Sequence, residues 1–281
     1  MESLGRGEDG LSLEVLTWNL FHGRDHPPGG LRGGFAWRLF GRRLDGDEYA
    51  LLNRDLRREF VTRLDDWSWD VALLQEVPVG WIGDLSRATG AAARLALTSR
   101  NWMSPVTAPV WARRPHLIGS WEGGCNAILV RGGRVVKPGG TGAFTLRVRP
   151  ERRRLHFVEL EGGPMVFNLH ASTGVLRAAE DVLRAAGVAD REAAGRPFVF
   201  GGDLNVSPAA DPLLFGRLAE DHGVALPGGV DRDSIDQVLM AGAVAGEGER
   251  LPAERRDLRD DATGLKVRLS DHDPVVVRFE L

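Results

Sequence analysis

The stretch Phe198-Val-Phe-Gly-Gly-Asp-Leu-Asn-Val-Ser-Pro208 constrains the fold more than any other part of the chain. Three apolar residues closed by two glycines read as a buried strand, since nothing in the run seeks water and the glycines interrupt it. Side chains two apart on an extended backbone share a face, so the strand end delivers Asp203 and Asn205 to the same side of the following loop. A carboxylate beside an amide suits chemistry on oxygen. The carboxylate can orient or deprotonate a water, and the amide can donate to a developing oxyanion. A Gly-Gly-Asp turn is ordinary by itself, so the pairing acquires meaning only from what the rest of the chain places near it.

Other short apolar runs end the same way. Leu13 to Trp18 alternates with Leu13, Val15 and Thr17 on one face, which predicts a strand at 13–18 that delivers Asn19. Val71 to Gln75 is an apolar strand ending in Glu76, and Pro164 to Leu169 presents His170. Ile235 to Leu239 carries Asp236 in an otherwise apolar strand, and Asp271-His272 opens the strand at 275–281. Further strands are predicted at 126–130 and 155–160, with the basic cluster Arg147 to Arg154 on a hairpin whose arginines read as a solvated face. The recurrence of Leu52, Leu56, Phe60 and Leu64 predicts a helix over 49–66. Another is expected over 81–90. A third runs from a Ser172 or Thr173 cap to about 194, with Leu176, Ala179, Leu183 and Ala186 on its inner face. Loops are expected at 21–46, 99–122 and 242–266. The second interleaves Trp102, Trp111 and Trp121 with Arg113, Arg114 and His116, a composition that either stacks on a phosphate-bearing substrate or plugs the edge of a core.

Short strands, a few helices and no repeat fit an α/β domain with sheet packed on sheet, spanning 12–281 behind a loose tail at 1–11. In 281 residues, 36 basic and 39 acidic side chains leave a net charge of -3, so any attraction for a polyanion is local. Lysine occurs only at Lys137 and Lys266, a skew that reads as coding bias and discounts arginine abundance as a sign of nucleic-acid binding. Cys125 is the only cysteine, which excludes an intrachain disulfide and a cysteine metal cluster. With no apolar signal core and no run near the ~18 residues of a membrane span, the sequence predicts a soluble, cytoplasmic protein with no stable membrane anchor, monomeric by preference.

Taken in order, Thr-Trp-Asn19-Leu, Leu-Gln-Glu76-Val, Asn-Leu-His170-Ala, Gly-Asp203-Leu-Asn205, Ile-Asp236 and Ser-Asp271-His272 resemble the endonuclease/exonuclease/phosphatase superfamily. That superfamily includes pancreatic-type deoxyribonuclease, abasic-site endonucleases, bacterial sphingomyelinases and inositol polyphosphate 5-phosphatases. The resemblance spans 13–281. It implies a four-layer αββα sandwich, two packed β-sheets flanked by helices, and a divalent-metal phosphoesterase. Position by position, it implies that Glu76 binds the metal with help from Asn19 and Asp271. Asp203 would orient or activate the attacking water, Asn205 would hold the scissile phosphate, and Asp236 would hold His272 to act on the phosphate or as a base. His170 would donate to a phosphate oxygen. The residues themselves favour Mg²⁺, with Mn²⁺ as a substitute, because the candidate ligands are oxygens.

The family pattern pairs the histidine at the His170 position with a mid-chain carboxylate. Glu122 is the nearby candidate, in surroundings that match poorly. Histidine there, where abasic-site endonucleases carry tyrosine, points away from abasic-site specificity. His22, His26, His116, His156 and His222 match no family position, although His22 and Arg24 follow Asn19 closely enough to touch substrate. The sequence ranks a nuclease acting on nucleic acid first. A phosphatase or phosphodiesterase acting on inositol-phosphate or sphingomyelin-like head groups comes second, and a catalytically inactive binding scaffold third.

Overall fold

The computed structural model describes residues 12–31, 36–40, 43–45, 48–98, 101–243 and 245–281. The expected tail at 1–11 and parts of the 21–46 loop lie outside them. Strands that are apolar on both faces must be covered on both faces, and the chain meets this demand by stacking two sheets. In the first, the order is Ala245–Arg250, Val275–Glu280, Ser12–Asn19, Val71–Val77, Cys125–Val130, Ala92–Leu97. The second runs Asp236–Ala241, Phe198–Asp203, Met165–His170, Arg153–Leu160, Val136–Arg147.

Alternation along each strand sorts its residues into layers. Leu13, Val15, Val71, Leu73 and Ile128 of the first sheet meet Val158, Val166, Val199 and Val238 of the second between the sheets. Leu16, Trp18, Ala72 and Leu74 point outward, where they pack with Phe60 and Leu64 of the helix Arg57–Asp66, with Leu56 just ahead of it and with Leu85 of the helix Ile82–Thr89. On the far side Phe167, Phe198 and Phe200 pack beneath the helices Val175–Ala193 and Pro212–His222. The result is the expected four-layer αββα sandwich, and each of these buried large side chains contributes about 1.5–3 kcal/mol. A small third sheet of Asp257–Arg259, Lys266–Arg268, Tyr49–Leu51 and Arg43–Asp45 sits beside it.

Several local expectations change. The helix expected over 49–66 begins at Arg57. Ahead of it Tyr49–Leu51 is a strand, and the Leu52 N–H donates to Asp25 Oδ2 at 2.6 Å instead of to a helical carbonyl. The helix expected from Ser172 begins after Gly174 with no side-chain cap, and the Ser172 N–H donates to Asp181 Oδ2 at 3.0 Å. Its buried face is Ala178, Val182, Ala185, Ala186 and Ala189, while Leu176 is exposed. Alanines on that face let the helix lie close to the sheet, and packing overrules the size of the leucine. The 99–122 stretch contains the helices Ser104–Trp111 and Pro115–Ile118, and 242–266 contains the strand Ala245–Arg250. That strand was illegible because Gly246 and Gly248 are poor strand formers. They suit it because a Cβ on Gly246 would stand 2.8 Å from Phe279 Cδ1, and one on Gly248 3.2 Å from Val277 Cγ2.

Candidate active site at one edge of the sandwich

Strand direction brings the chemistry to one place. Ser12–Asn19 and Val71–Val77 are parallel and end together, with Asn19 opposite Gln75. Val275–Glu280 is antiparallel to the first strand, so Asp271 and His272, just before it, stand at that same end. In the second sheet Asp203 is in register with His170 on one side and with Asp236 on the other. Gly202 makes this register workable: at φ +132° its Cβ would stand 1.9 Å from the Leu169 carbonyl oxygen.

The side chains meet. His272 Nδ1 lies 2.7 Å from Asp236 Oδ2, which leaves Nε2 facing Asp203 Oδ2 at 3.9 Å and Asp271 Oδ1 at 3.8 Å. His170 Nε2 lies 3.4 Å from Asp203 Oδ2 and 3.8 Å from Glu76 Oε1. Asn19 donates from Nδ2 to Asp203 Oδ2 at 3.0 Å, and its Oδ1 accepts from the Phe21 N–H at 2.9 Å. The Asn205 N–H donates to Asp203 Oδ1 at 3.0 Å, and Asn205 Nδ2 donates to the Ala171 carbonyl at 3.1 Å. Every residue singled out for the site in the sequence falls within this network. Two of its members, Glu76 and His170, line a cleft of about 140 Å³ together with His22, Thr98, Ser120, Glu151, Arg152, Arg153 and Thr173. A larger groove of about 540 Å³ between residues 54–59 and 259–262 holds none of them.

The backbone is distorted where it serves the cluster. Glu76, Asn205 and Ser270 have φ of +50°, +52° and +60°, and Phe21 and His22 have +50° and +53°. Among the described residues only Ala194, at a helix end, shares this property without being glycine. Left-handed backbone at such residues costs on the order of 1 kcal/mol or more each, so the surrounding structure must hold it in place. At Glu76 the means is a register shift against Cys125–Val130 between Leu74 and Val77, which turns the side chain into the cleft. At Ser270 the hydroxyl donates to the Asn19 carbonyl at 2.6 Å and accepts from the His272 N–H at 3.1 Å.

Crowded acids in a dry setting titrate abnormally. Burial pushes Asp203 up to about 7, with Asp236 adding to the rise. Burial pulls His272 down, but Asp236, Asp203 and Asp271 together raise it to about 10. Glu76 is raised by burial; Arg24 opposes that rise and Asp271 adds to it, and 22% of the side chain remains exposed at the cleft. His170 is driven well below its ordinary value by burial and then by Arg153.

A hard cation needs oxygen donors and a deficit of positive charge, and the edge provides both. Glu76 and Asp271 keep exposed carboxylate surface, and Asp271 adds to the cost of ionising Glu76, a deficit of positive charge that a cation relieves. The Asn19 amide can add only the second lone pair of Oδ1, because its nitrogen is committed to Asp203. The tightest grouping of ligand atoms lies next door, with Asp203, Asp236 and His272 within 4.8 Å of one another. His272 Nδ1 is engaged by Asp236 there, so that grouping reads as a hydrogen-bonded acid and imidazole set rather than a hard-cation site.

Glu122 departs from the expected pairing. Its Oε1 lies 3.1 Å from His22 Nδ1 instead of contacting His170. His22 fills the space first: Gly124 presses on its ring, where a Cβ would stand 3.3 Å from Cε1. The sequence places His22 within reach of substrate but gives no sign of its pairing with Glu122, which is 100 residues away and linked to it by no spacing rule. Arg24 was read only as a residue near substrate. It stacks over Phe21 at 3.7 Å from the ring centroid, and Glu76 and Asp271 are the carboxylates that act on it most strongly. Arg152 and Arg153 line the cleft instead of forming only a solvated face. Of the tryptophans, Trp111 is core, whereas Trp102 and Trp121 are 80% and 54% exposed.

The sequence model of the Endonuclease/Exonuclease/phosphatase family matches residues 16–272. The chain belongs to this family. A search of curated proteins finds no match. Among solved structures, an endonuclease/exonuclease/phosphatase family protein from Bacteroides thetaiotaomicron is similar at 17% identity and TM-score 0.60, covering 96% of this chain and 98% of that one. A mannosyl-6-phosphatase from the same organism has 16% identity, TM-score 0.60 and coverage of 96% and 100%. Truncated TDP2 of Caenorhabditis elegans has 12% identity, TM-score 0.56 and coverage of 96% and 98%. At these identities the structural likeness establishes the endonuclease/exonuclease/phosphatase fold, and the family match establishes a metal-dependent phosphoesterase in general. Among the described residues no helix is long and apolar enough to cross a membrane.

Proposed function

We propose that this phosphoesterase is a nuclease-type phosphodiesterase that uses Mg²⁺ or Mn²⁺ held by Glu76 and Asp271 with the Asn19 amide oxygen. The observation that carries the reading is the continuous set Glu76, His170, Asp203, His272 and Asp236, whose successive contacts span 2.7–3.9 Å. The cation, when bound, supplies charge to neutralise phosphate oxygens and makes a coordinated water more acidic.

The chain's own residues divide the remaining work. Asp236 holds His272 by Nδ1, so Nε2 is fixed toward Asp203 and Asp271 and can donate to a phosphate oxygen there. Asp203 is held at both oxygens, by Asn19 and by the Asn205 N–H, and so presents a fixed lone pair that can take a proton from the attacking water. Asn205 keeps one amide hydrogen beyond its bond to Ala171, and His170 lies beside Asp203. Both can donate to the equatorial oxygens during in-line attack. Arg152 and Arg153 line the cleft and can meet a phosphate there, with Glu151, 2.9 Å from Arg153, offsetting part of their charge.

The size of the cleft supports a polymeric substrate. Cavities that engulf a small ligand measure about 300–1,000 Å³, so a cleft of about 140 Å³ grips one phosphate and leaves the bulk of the substrate outside. A polymer crossing the edge meets that description, and exposed Trp102 and Trp121 offer apolar faces to its bases. An inactive scaffold would have no reason to keep a strained backbone and converging buried acids. Plasmid DNA, single-stranded DNA, RNA, inositol phosphates and a generic phosphodiester, each assayed with Mg²⁺, Mn²⁺ and EDTA, test the reading. Nucleic-acid cleavage abolished by EDTA and by Asp203→Ala supports it; turnover of head groups or monoesters alone overturns it.

A further inference from the structure

Beside the His272 and Asp236 pair stands a second imidazole and carboxylate set that the proposed mechanism does not use. Glu122 is 5% exposed, deep beneath the cleft, and its Oε1 lies 3.1 Å from His22 Nδ1. The other nitrogen of that ring, Nε2, lies 3.4 Å from Glu76 Oε2, while the opposite oxygen of Glu76, Oε1, faces His170. Much of the surrounding chain is shaped to this arrangement. Phe21 and His22 both take left-handed backbone, and a Cβ on Gly23 would stand 2.3 Å from the Trp81 ring. The loop beyond is clamped where Asp25 Oδ1 meets His116 Nε2 at 2.6 Å, and both side chains are buried. A buried carboxylate is costly without a specific partner, and here its partner leads straight to the residue placed on the cation.

We propose that Glu122 and His22 are positioning residues for Glu76. Glu122 fixes the ring of His22, His22 fixes Oε2 of Glu76, and the orientation so imposed sets how tightly the edge holds a divalent cation. The inference rests on the placement of the cation at Glu76 argued above. Groups that orient a metal ligand commonly account for about 10–100-fold in metal affinity.

The test is Mn²⁺ binding to the full chain, read by electron paramagnetic resonance as free ion displaced with titration, alongside urea unfolding in EDTA. His22→Ala and Glu122→Ala are expected to weaken Mn²⁺ binding by about 10–100-fold, with kcat at saturating Mn²⁺ falling less than the affinity does. His22→Gln keeps an N–H donor at similar reach and should recover part of the loss. The near-isosteric Glu122→Gln and His22→Gln serve if either alanine variant fails to fold. A purely structural pair would lower the urea midpoint in EDTA and leave the Mn²⁺ affinity alone. Wild-type uptake that is abolished by Glu76→Gln, with the His22 and Glu122 variants within about twofold of wild type, overturns the dyad and spares the cation site. A wild-type chain that takes up no Mn²⁺ overturns both.

Discussion

The strand Phe198–Asp203 obeys different rules at its two ends, and so does the sandwich around it. At its start Val199 enters the layer between the sheets while Phe198 and Phe200 pack outward, all with ordinary backbone and no polar side-chain atom to satisfy. Toward its end the same strand sheds its side chains at Gly201 and Gly202 and finishes in a carboxylate that burial and Asp236 hold near pH 7. The middle of the molecule is assembled to be stable. The edge is assembled against its own stability, with left-handed backbone and crowded acids. The contrast teaches that such an edge survives only because the layers behind it are rigid enough to hold it.

Four expected outcomes sharpen or break that contrast. The largest is at Asp203, where Asp203→Asn should lower kcat/KM on the cleaved phosphodiester by about 10³-fold or more. The same change should make the metal-free protein more stable at pH 8. A carboxyl whose folded value lies near 7, above its unfolded value, loses stability as pH rises between the two, and an amide does not. Urea unfolding in EDTA reads the sign, and an Asp203→Asn variant less stable than wild type would break the contrast. His272→Ala should cost about 10²–10³-fold in kcat/KM, and Asp236→Asn less, because the ring stays while its anchor weakens. An equal loss for both would mean that Asp236 acts on substrate directly.

In the layer between the sheets, Leu73→Ala should lower stability by about 2–5 kcal/mol while the activity per folded molecule holds. A drop in kcat without a drop in stability would show that the layers transmit more than rigidity. The smallest effect concerns His156, which is 1% exposed, has no hydrogen-bond partner on either nitrogen among the described residues, and is pulled down to about 3 by burial. Because the folded value lies below the unfolded one, stability is complete above about pH 6.5 and falls as pH drops toward 3, by up to about 1.4 kcal/mol per pH unit. His156→Leu should flatten that slope, measured as the urea midpoint at pH 7, 6 and 5.

What could be read from the sequence follows the same division. Strand ends bearing Asn19, Glu76, His170, Asp203 and His272 were legible because an apolar run that stops at a polar residue is a local pattern. Their convergence depended on strand directions, which no local pattern encodes. Of the inner face expected for the helix Val175–Ala193, Ala179, Leu183 and Ala186 do pack on the core and only Leu176 does not; its bulk outweighs alanine in any hydrophobic count, although close packing on the sheet favours alanine. Pro109 concealed the helix Ser104–Trp111, since proline inside a helix is locally costly. Pro212–His222 went unread despite its Asp211 cap and Gly223 stop. The His22 and Glu122 pair was out of reach, being defined only once the loop after the first strand folds over the turn at Gly119–Glu122.

Leu13 pairs beside Phe279, and the strand at 275–280 is itself flanked by Ala245–Arg250. The strand at 275–280 therefore stands second in the first sheet, joining Ala245–Arg250 to Ser12–Asn19, and His272 lies just ahead of it at the end that enters the site. Without that strand the sheet would lose both the bridge to Ala245–Arg250 and the anchor of the imidazole, so the strand that completes the packing also completes the chemistry.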